Sequence, residues 1–423
     1  MKGVAHQKWW GWGVEGIAFE HRNKPKMAPF VMDKVGIDLS APGTPPPAFE
    51  ELEVPASRLG EDLAATLRSA VGVDHVVTED LDRVVHTYGK GLADLVRVRA
   101  GDLPRVPDVV VYPADEDEVR SVVDAVVAAD AVLIPFGGGS NISGSLTPPP
   151  AEERTVVSLD LGRLNRVLEV DEHAGLARIQ AGALGPDLEE QLNARGWTMG
   201  HQPDSFRHST LGGWIATRSS GMQSDKYGDI ADITRGMRVV QPGKVVVLRP
   251  LPSTSSGPSV REMILGSEGR LGVVTEAWVH VHRVPENRDI IAYLYPSWNA
   301  ALAAMQEIST SDAHPLRHPR LRRQRDGVLL LHAEGEQGRV RQGPEGAFRR
   351  PREAWLGPRR RVPVLRRLRG RRCARQGREE HRRQDREEAR RYQARPRTGR
   401  AVRPEEVRHP VHPRLPPRHR RDG

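Results

Sequence analysis

The chain has a single cysteine, Cys373. No disulfide can form within it, and residues 1–315 offer no thiol for nucleophilic catalysis. No run is long and apolar enough to span a bilayer as a helix. The N-terminus lacks the apolar core of a secretion signal, so a cytoplasmic protein is expected. No metal site is expected. Aromatic residues make up only 5% of the chain, yet three of the eight tryptophans fall within Trp9-Trp10-Gly11-Trp12. Lysine is absent from residues 316–423, which hold 34 arginines and 13 acidic residues, a charge of +21. Residues 1–315 hold 30 basic and 42 acidic residues, a charge of −12, so the overall +9 describes neither part. The body reads as a mildly acidic globular protein, and the basic character belongs to the tail.

What the body does have is three glycine-rich polar segments, each beside an apolar run. The first is Pro135-Phe136-Gly137-Gly138-Gly139-Ser140-Asn141, after the strand-like Ala131-Val132-Leu133-Ile134. Three glycines let main chain approach a ligand closely, and their amides can converge on an anion. Ser140 and Asn141 add side-chain donors. Alone, such a triplet reads either as a pyrophosphate cradle or as an ordinary loop. The second segment runs Pro203-Asp204-Ser205-Phe206-Arg207-His208-Ser209-Thr210-Leu211-Gly212-Gly213, then Thr217-Arg218-Ser219-Ser220-Gly221, to Lys226-Tyr227-Gly228-Asp229. The third is Gly266-Ser267-Glu268-Gly269-Arg270-Leu271-Gly272.

In order and spacing the three segments resemble the flavin domain of the vanillyl-alcohol-oxidase type of FAD-binding proteins, over Val106 to about Pro285. Lys8-Trp9-Trp10-Gly11-Trp12-Gly13 and the wording of the second segment are similar to the alkyldihydroxyacetonephosphate synthases and their bacterial relatives. The resemblance implies an α+β fold: a PCMH-type FAD-binding domain of two α/β subdomains, an N-terminal extension and a cap domain. It implies FAD, held non-covalently since no His or Cys lies in the first loop, at Pro135 to Asn141, Pro203 to Ser209, Thr217 to Ser220 and Ser267 to Gly272. Within that set Ser205 and Ser209 are candidate donors. Arg218 offsets phosphate charge or forms a surface ion pair. His208 is a flavin-side base or a structural histidine. Asp204 reads as a cap or turn former, and Glu268 as an acceptor for a ribose hydroxyl or a turn carboxylate. The tryptophans read as a hydrophobic clasp onto the flavin domain.

The implied reaction exchanges the acyl chain of acyl-dihydroxyacetone phosphate for an alkyl chain, giving an ether-lipid precursor. Its catalytic residues belong to the cap domain, and none is assigned in this sequence. The implied partners are a small-molecule or lipid substrate, a peripheral membrane contact in the intact family member, and a second copy of the chain. An FAD-linked oxidase or dehydrogenase of a 2-hydroxy acid or alcohol shares the same flavin domain and is the first competing function. A nucleic-acid-binding protein using the arginine-rich tail is the second.

Four regions follow: an N-terminal extension (1–103), the FAD-binding domain (104–285), the start of a cap (286–315) and the tail (316–423). Inside the second, a βαβ unit is expected from Val109-Val110-Val111-Tyr112, an amphipathic helix from Asp115 to Ala129, and Val132 to Pro135. Further strands are expected at 155–159, 176–181, 237–240, 245–249 and 273–281, with a helix from Leu184 to Gly196. The tail keeps neither periodicity for long and reads as disordered. Evolved basic arms mix lysine with arginine, whereas 34 arginines without a lysine point to GC-rich DNA read out of frame. Codons permitted for Leu316 to Gly327, read one base later, give Ser-Val-Thr-Arg-Val-Ser-Asp-Ala-Asn-Glu-Thr, which resembles the opening of the family's cap domain. The same offset yields family-like text at 355–370, 382–392 and 402–415. A single frameshift near Pro315, leaving the cap disrupted and the chain inactive, is the expectation.

Overall fold

The computed structural model describes residues 7–14, 17, 24–41, 45–288 and 293–311, and the backbone of 320–324 and 327–331. Most of the tail, with the expected disorder and frameshift, lies outside these residues.

Two sheets carry the body. The first contains β1 (Val76–Val77), β2 (Val109–Val111), β3 (Val132–Phe136) and β4 (Val156–Asp160), in the order β1-β2-β4-β3. β2 and β3 both run parallel to β4, while β1 is antiparallel. Every residue of β4 is buried, as a central parallel strand covered on both faces should be. The helix Glu116–Ala128 joins β2 to β3. Asp115 caps it by accepting from the Glu118 amide at 2.9 Å, and Glu116, Asp117 and Glu118 fill its first turn, where carboxylates suit the helix dipole. Val119, Val122, Val123 and Val126 form its buried face. With Leu63, Leu67 and Val71 of the helix Glu61–Val71, they make one core.

The second sheet is antiparallel throughout. Its strands are β5 (Val167–Asp171), β6 (Leu176–Gln180), β8 (Thr234–Gln241), β9 (Lys244–Leu248) and β10 (Val273–His280), ordered β5-β6-β10-β8-β9. The short β7 (Trp197–Thr198) pairs instead with β11 (His282–Arg283). β8 and β9 close across Pro242-Gly243, with Gly243 at φ +69°, the positive φ that the residue after such a proline requires. The helices Gly185–Asn193 and Leu211–Thr217 bury Leu188, Leu192, Leu211, Trp214 and Ile215 against this sheet.

Two polar anchors lock the arrangement. Arg105 and Asp108, both buried, pair at 2.6 Å, and Asp108 also accepts from the amides of Arg58 and Val156. Glu116 reaches from the first half to the second, binding Arg238 through two bonds of 2.6 and 2.9 Å and accepting from Thr275 Oγ1 at 2.7 Å. Burial alone would raise the Glu116 carboxyl, but these hydrogen bonds outweigh it and hold it below the usual range.

The expected elements form to within a few residues, and β1, β7, β11 and the helix Leu211–Thr217 form besides. β5 was not expected: Glu169 interrupts its apolar residues Val167, Leu168 and Val170, and Leu168, Glu169 and Asp171 are exposed on this edge strand. Backbone pairing also continues past Pro315, where strands Arg320–Gln324 and Gly327–Leu331 pair with each other and the latter with Leu294–Tyr295.

Candidate cofactor site

β3 ends at Phe136, and loop 137–141 follows at the carboxyl end of the parallel strands, where open α/β sheets bind ligands. Phe136 is buried with the His86 ring 4.1 Å away. His86 is itself held by the Asp82 carbonyl at 2.6 Å and the Asp160 carboxylate at 3.0 Å. The floor of the loop is therefore set by residues from two other elements.

The glycines are sterically obligatory. A Cβ on Gly138 would stand 1.8 Å from the His208 carbonyl oxygen, and one on Gly137 would stand 2.3 Å from Thr210 Oγ1. Gly139 has φ +63°, and a Cβ there would lie 2.7 Å from the Phe136 ring. The first segment thus lies directly on the second. The third closes on the first: Ser143 Oγ donates to Glu268 Oε1 at 2.8 Å, and Gly269, at φ +82°, sits against Pro135.

Together they enclose a cleft of about 850 Å³, within the range that holds sizeable organic ligands. Pro135, Gly137, Gly138, Gly139, Ser140 and Asn141 line it from the first segment. Asp204, Ser205, Ser209, Thr217, Ser219 and Ser220 line it from the second, and Glu268 and Gly269 from the third. Phe136, Ser267 and Gly272 line a smaller void of about 60 Å³ beside it. Pro203, Phe206, Arg207, His208, Arg218, Arg270 and Leu271 line neither.

Several of these side chains already have structural work. Arg218 pairs with Glu262 at 2.9 Å, which is the ion-pair alternative of the two expected for it. Phe206 stacks on Trp214, 6.2 Å away and tilted by 11°. Ser209 Oγ accepts from Trp214 Nε1 at 2.6 Å and donates to the Ser205 carbonyl at 2.9 Å, so it positions that indole. The Asn141 amide knits its own loop through Ser143, Ser145 and the Gly144 amide. His208 is pushed below the ordinary histidine range by burial and by the nearby charges of Arg207 and Lys90, which favours a neutral ring.

Three contributors were not singled out in the sequence. The Lys90 amide donates to the Asn141 carbonyl at 2.6 Å, and the adjacent Gly89 has no room for a Cβ against that same carbonyl. Burial pulls the Lys90 ammonium down to about 8, against the opposing pull of Asp94. His201 bonds Ser219 Oγ at 2.8 Å, is pushed down to about 4 by burial, and keeps a buried Nδ1 without a hydrogen-bond partner among the described residues. Thr210 caps the helix Leu211–Thr217 through the Gly213 amide at 3.2 Å. A lysine between two glycines (Gly89-Lys90-Gly91) was the available signal for the first. Thr210 was readable as a helix N-cap three residues ahead of the Gly213 amide, whereas His201 depends on a tertiary contact. Among the described residues, no cluster of three or more His, Cys, Asp or Glu is arranged to hold a metal.

The family model described as FAD binding domain matches residues 107–249, which include the whole of the first and second segments. The chain carries a PCMH-type FAD-binding domain. Alkyldihydroxyacetonephosphate synthase of Dictyostelium discoideum is 38% identical over 331 residues, covering 73% of this chain and 54% of that protein. The Trypanosoma brucei brucei protein of the same name is 38% identical over 326 residues, covering 73% and 53%. A solved alkyldihydroxyacetonephosphate synthase structure superposes with a TM-score of 0.67 at 37% identity, covering 73% of this chain and 59% of that one. The chain spans about half the length of the curated relatives it matches.

FAD suits the flavin domain on the chain's own geometry. Gly137, Gly138 and Gly139 line the cleft with no side chain between their main chain and its interior, the close backbone approach that a pyrophosphate cradle needs. Among the described residues, no histidine or cysteine lines the cleft, which is consistent with a non-covalent cofactor.

Proposed function

We propose that the protein, with its frame restored beyond Pro315, is an FAD-dependent alkylglycerone-phosphate synthase. It would take acyl-dihydroxyacetone phosphate and a fatty alcohol and give alkyl-dihydroxyacetone phosphate and a fatty acid, with no net redox change. The observation that carries this reading is the 38% identity to two such synthases over 73% of the chain, joined to a cleft of dinucleotide size. The matched share is close to the fraction ahead of Pro315, which supports a frame lost near that residue.

FAD, when bound, supplies the reactive isoalloxazine. The chain's own part is to hold it. Main-chain amides of Gly137, Gly138 and Gly139 would face the pyrophosphate, Ser205 and Ser220 would offer hydroxyls, and Trp214 would wall the cleft. Lys90 would set a positive charge behind the loop. The lipid substrates place a membrane surface nearby. Phe30, Met32 and Val35, exposed on the helix Met27–Val35, would serve a peripheral contact.

The test is direct. The gene is sequenced through codons 300–330, the frame is repaired, and the pure protein is given acyl-dihydroxyacetone phosphate with labelled fatty alcohol. Label is expected in an alkyl ether, with the flavin spectrum restored after turnover. Lasting flavin bleaching by a 2-hydroxy acid, without ether formation, would assign the protein to the oxidases instead.

A further inference from the structure

Residues 7–14 form a small hairpin. Gln7 and Val14 bridge in antiparallel fashion, the Lys8 amide donates to the Gly13 carbonyl at 3.0 Å, and Gly13 turns the chain at φ +89°. Its three indoles have different surroundings. Trp9 is buried and meets Phe49 edge-on at 5.8 Å. Trp10 lies beneath two cations, Lys8 Nζ at 5.3 Å and the Arg99 guanidinium at 5.5 Å. Both pack into a cluster with Val84, Val85, Tyr88 and Val98, so the clasp expected on the flavin domain closes instead mainly on the N-terminal extension.

Trp12 is different. It is 40% exposed, lines the cofactor cleft with the glycine loop, and its only ring neighbour among the described residues is His208, 6.3 Å away at a tilt of 55°. Gly13 has nothing within 4 Å of where a Cβ would sit, so the chain beside Trp12 is open on that side. An indole left facing a wet cleft keeps a large apolar face in water, a cost that a flat aromatic ligand would remove.

We propose that the hairpin is a strap across the cofactor cleft and that Trp12 packs against a planar ring of the bound cofactor. The proposal rests on FAD occupying that cleft, and it assigns this residue a binding role beyond the clasp. Trp9 and Trp10 seat the strap, and Trp12 is its contact. Isoalloxazine and adenine share the flat, polarisable chemistry that an indole recognises, and the experiment separates them.

The full chain is titrated with FAD, with binding followed by ultrafiltration and by flavin emission. Gly138→Val serves as the blank for retention by the basic tail. Trp12→Ala is expected to raise the Kd about tenfold, the loss of one stacking contact, with Trp12→Phe between it and wild type. The unfolding midpoint of FAD-free Trp12→Ala should match wild type, because the indole supports no core; that separates contact from scaffold. If the ring is isoalloxazine, emission of bound FAD rises in Trp12→Ala. If it is adenine, emission is unchanged and ADP loses the same tenfold as a competitor. An unchanged Kd for Trp12→Ala beside a binding wild type would overturn the strap while leaving the cofactor assignment standing. A wild type that binds no more FAD than the Gly138→Val blank would overturn both.

Discussion

At the scale of single residues, the site depends more on missing side chains than on those present. Gly138 leaves no room beside the His208 carbonyl, so Gly138→Ala must push two segments apart. That variant is expected to abolish FAD retention while the chain still folds, checked by absorbance near 450 nm after gel filtration, a wavelength of roughly flavin origin. The triplet was readable because glycine is the residue that tolerates such crowding. The glycines flanking Lys90 marked it, but its place was not readable, because what brings it to loop 137–141 is a contact 51 residues along the chain, the Lys90 amide to the Asn141 carbonyl. Its ammonium is held down to about 8 by burial, so between about 8 and the unfolded value the folded chain binds fewer protons than the unfolded one. Stability from this residue therefore rises with pH across that window. Lys90→Met should raise the melting point of FAD-free protein at pH 7, less so at pH 9.5, and should weaken FAD binding at pH 7. A melting point unmoved at both pH values would contradict the burial argument.

At the scale of elements, local pattern and outcome agree wherever one face of an element is apolar. The helix Glu116–Ala128 follows from an acidic first turn and valines at helical spacing, and the β8–β9 hairpin follows from Pro242-Gly243. β5 shows the opposite case. Its partner β6 supplies the pairing, and an edge strand whose Val167, Leu168 and Val170 are broken by Glu169 leaves only a short apolar trace. The pairing of Arg105 with Asp108 could not be read either, since three residues' separation says nothing of the Arg58 and Val156 amides that converge on the same carboxylate. Asp108→Ala leaves a buried guanidinium uncompensated and should cost about 3–5 kcal/mol in urea unfolding. A cost within the range of an exposed ion pair, about 0–1 kcal/mol, would refute its role as an anchor.

At the scale of the whole molecule, two histidines buried in their neutral form should weaken the fold as pH falls. His201 is held down to about 4 by burial, and His282 to about 4 by burial and then by the charges of His280 and Lys226. Both lie below the unfolded value, so their contribution is complete above about pH 6.5 and drains away as pH falls toward 4. The melting point should be level from pH 8 to 6.5 and decline below that, with His201→Gln plus His282→Gln flattening the decline between pH 6.5 and 5. An equally steep fall in the double variant would put the acid sensitivity elsewhere.

Glu116 has one further consequence. It fastens the halves that flank the cleft through three hydrogen bonds, to Arg238 and Thr275, and it lies outside the cleft lining. It works as the spine of a book whose covers hold the cofactor between them. With Glu116→Ala the covers should part more often, and stopped-flow dilution should show FAD leaving faster although no atom touching it has changed.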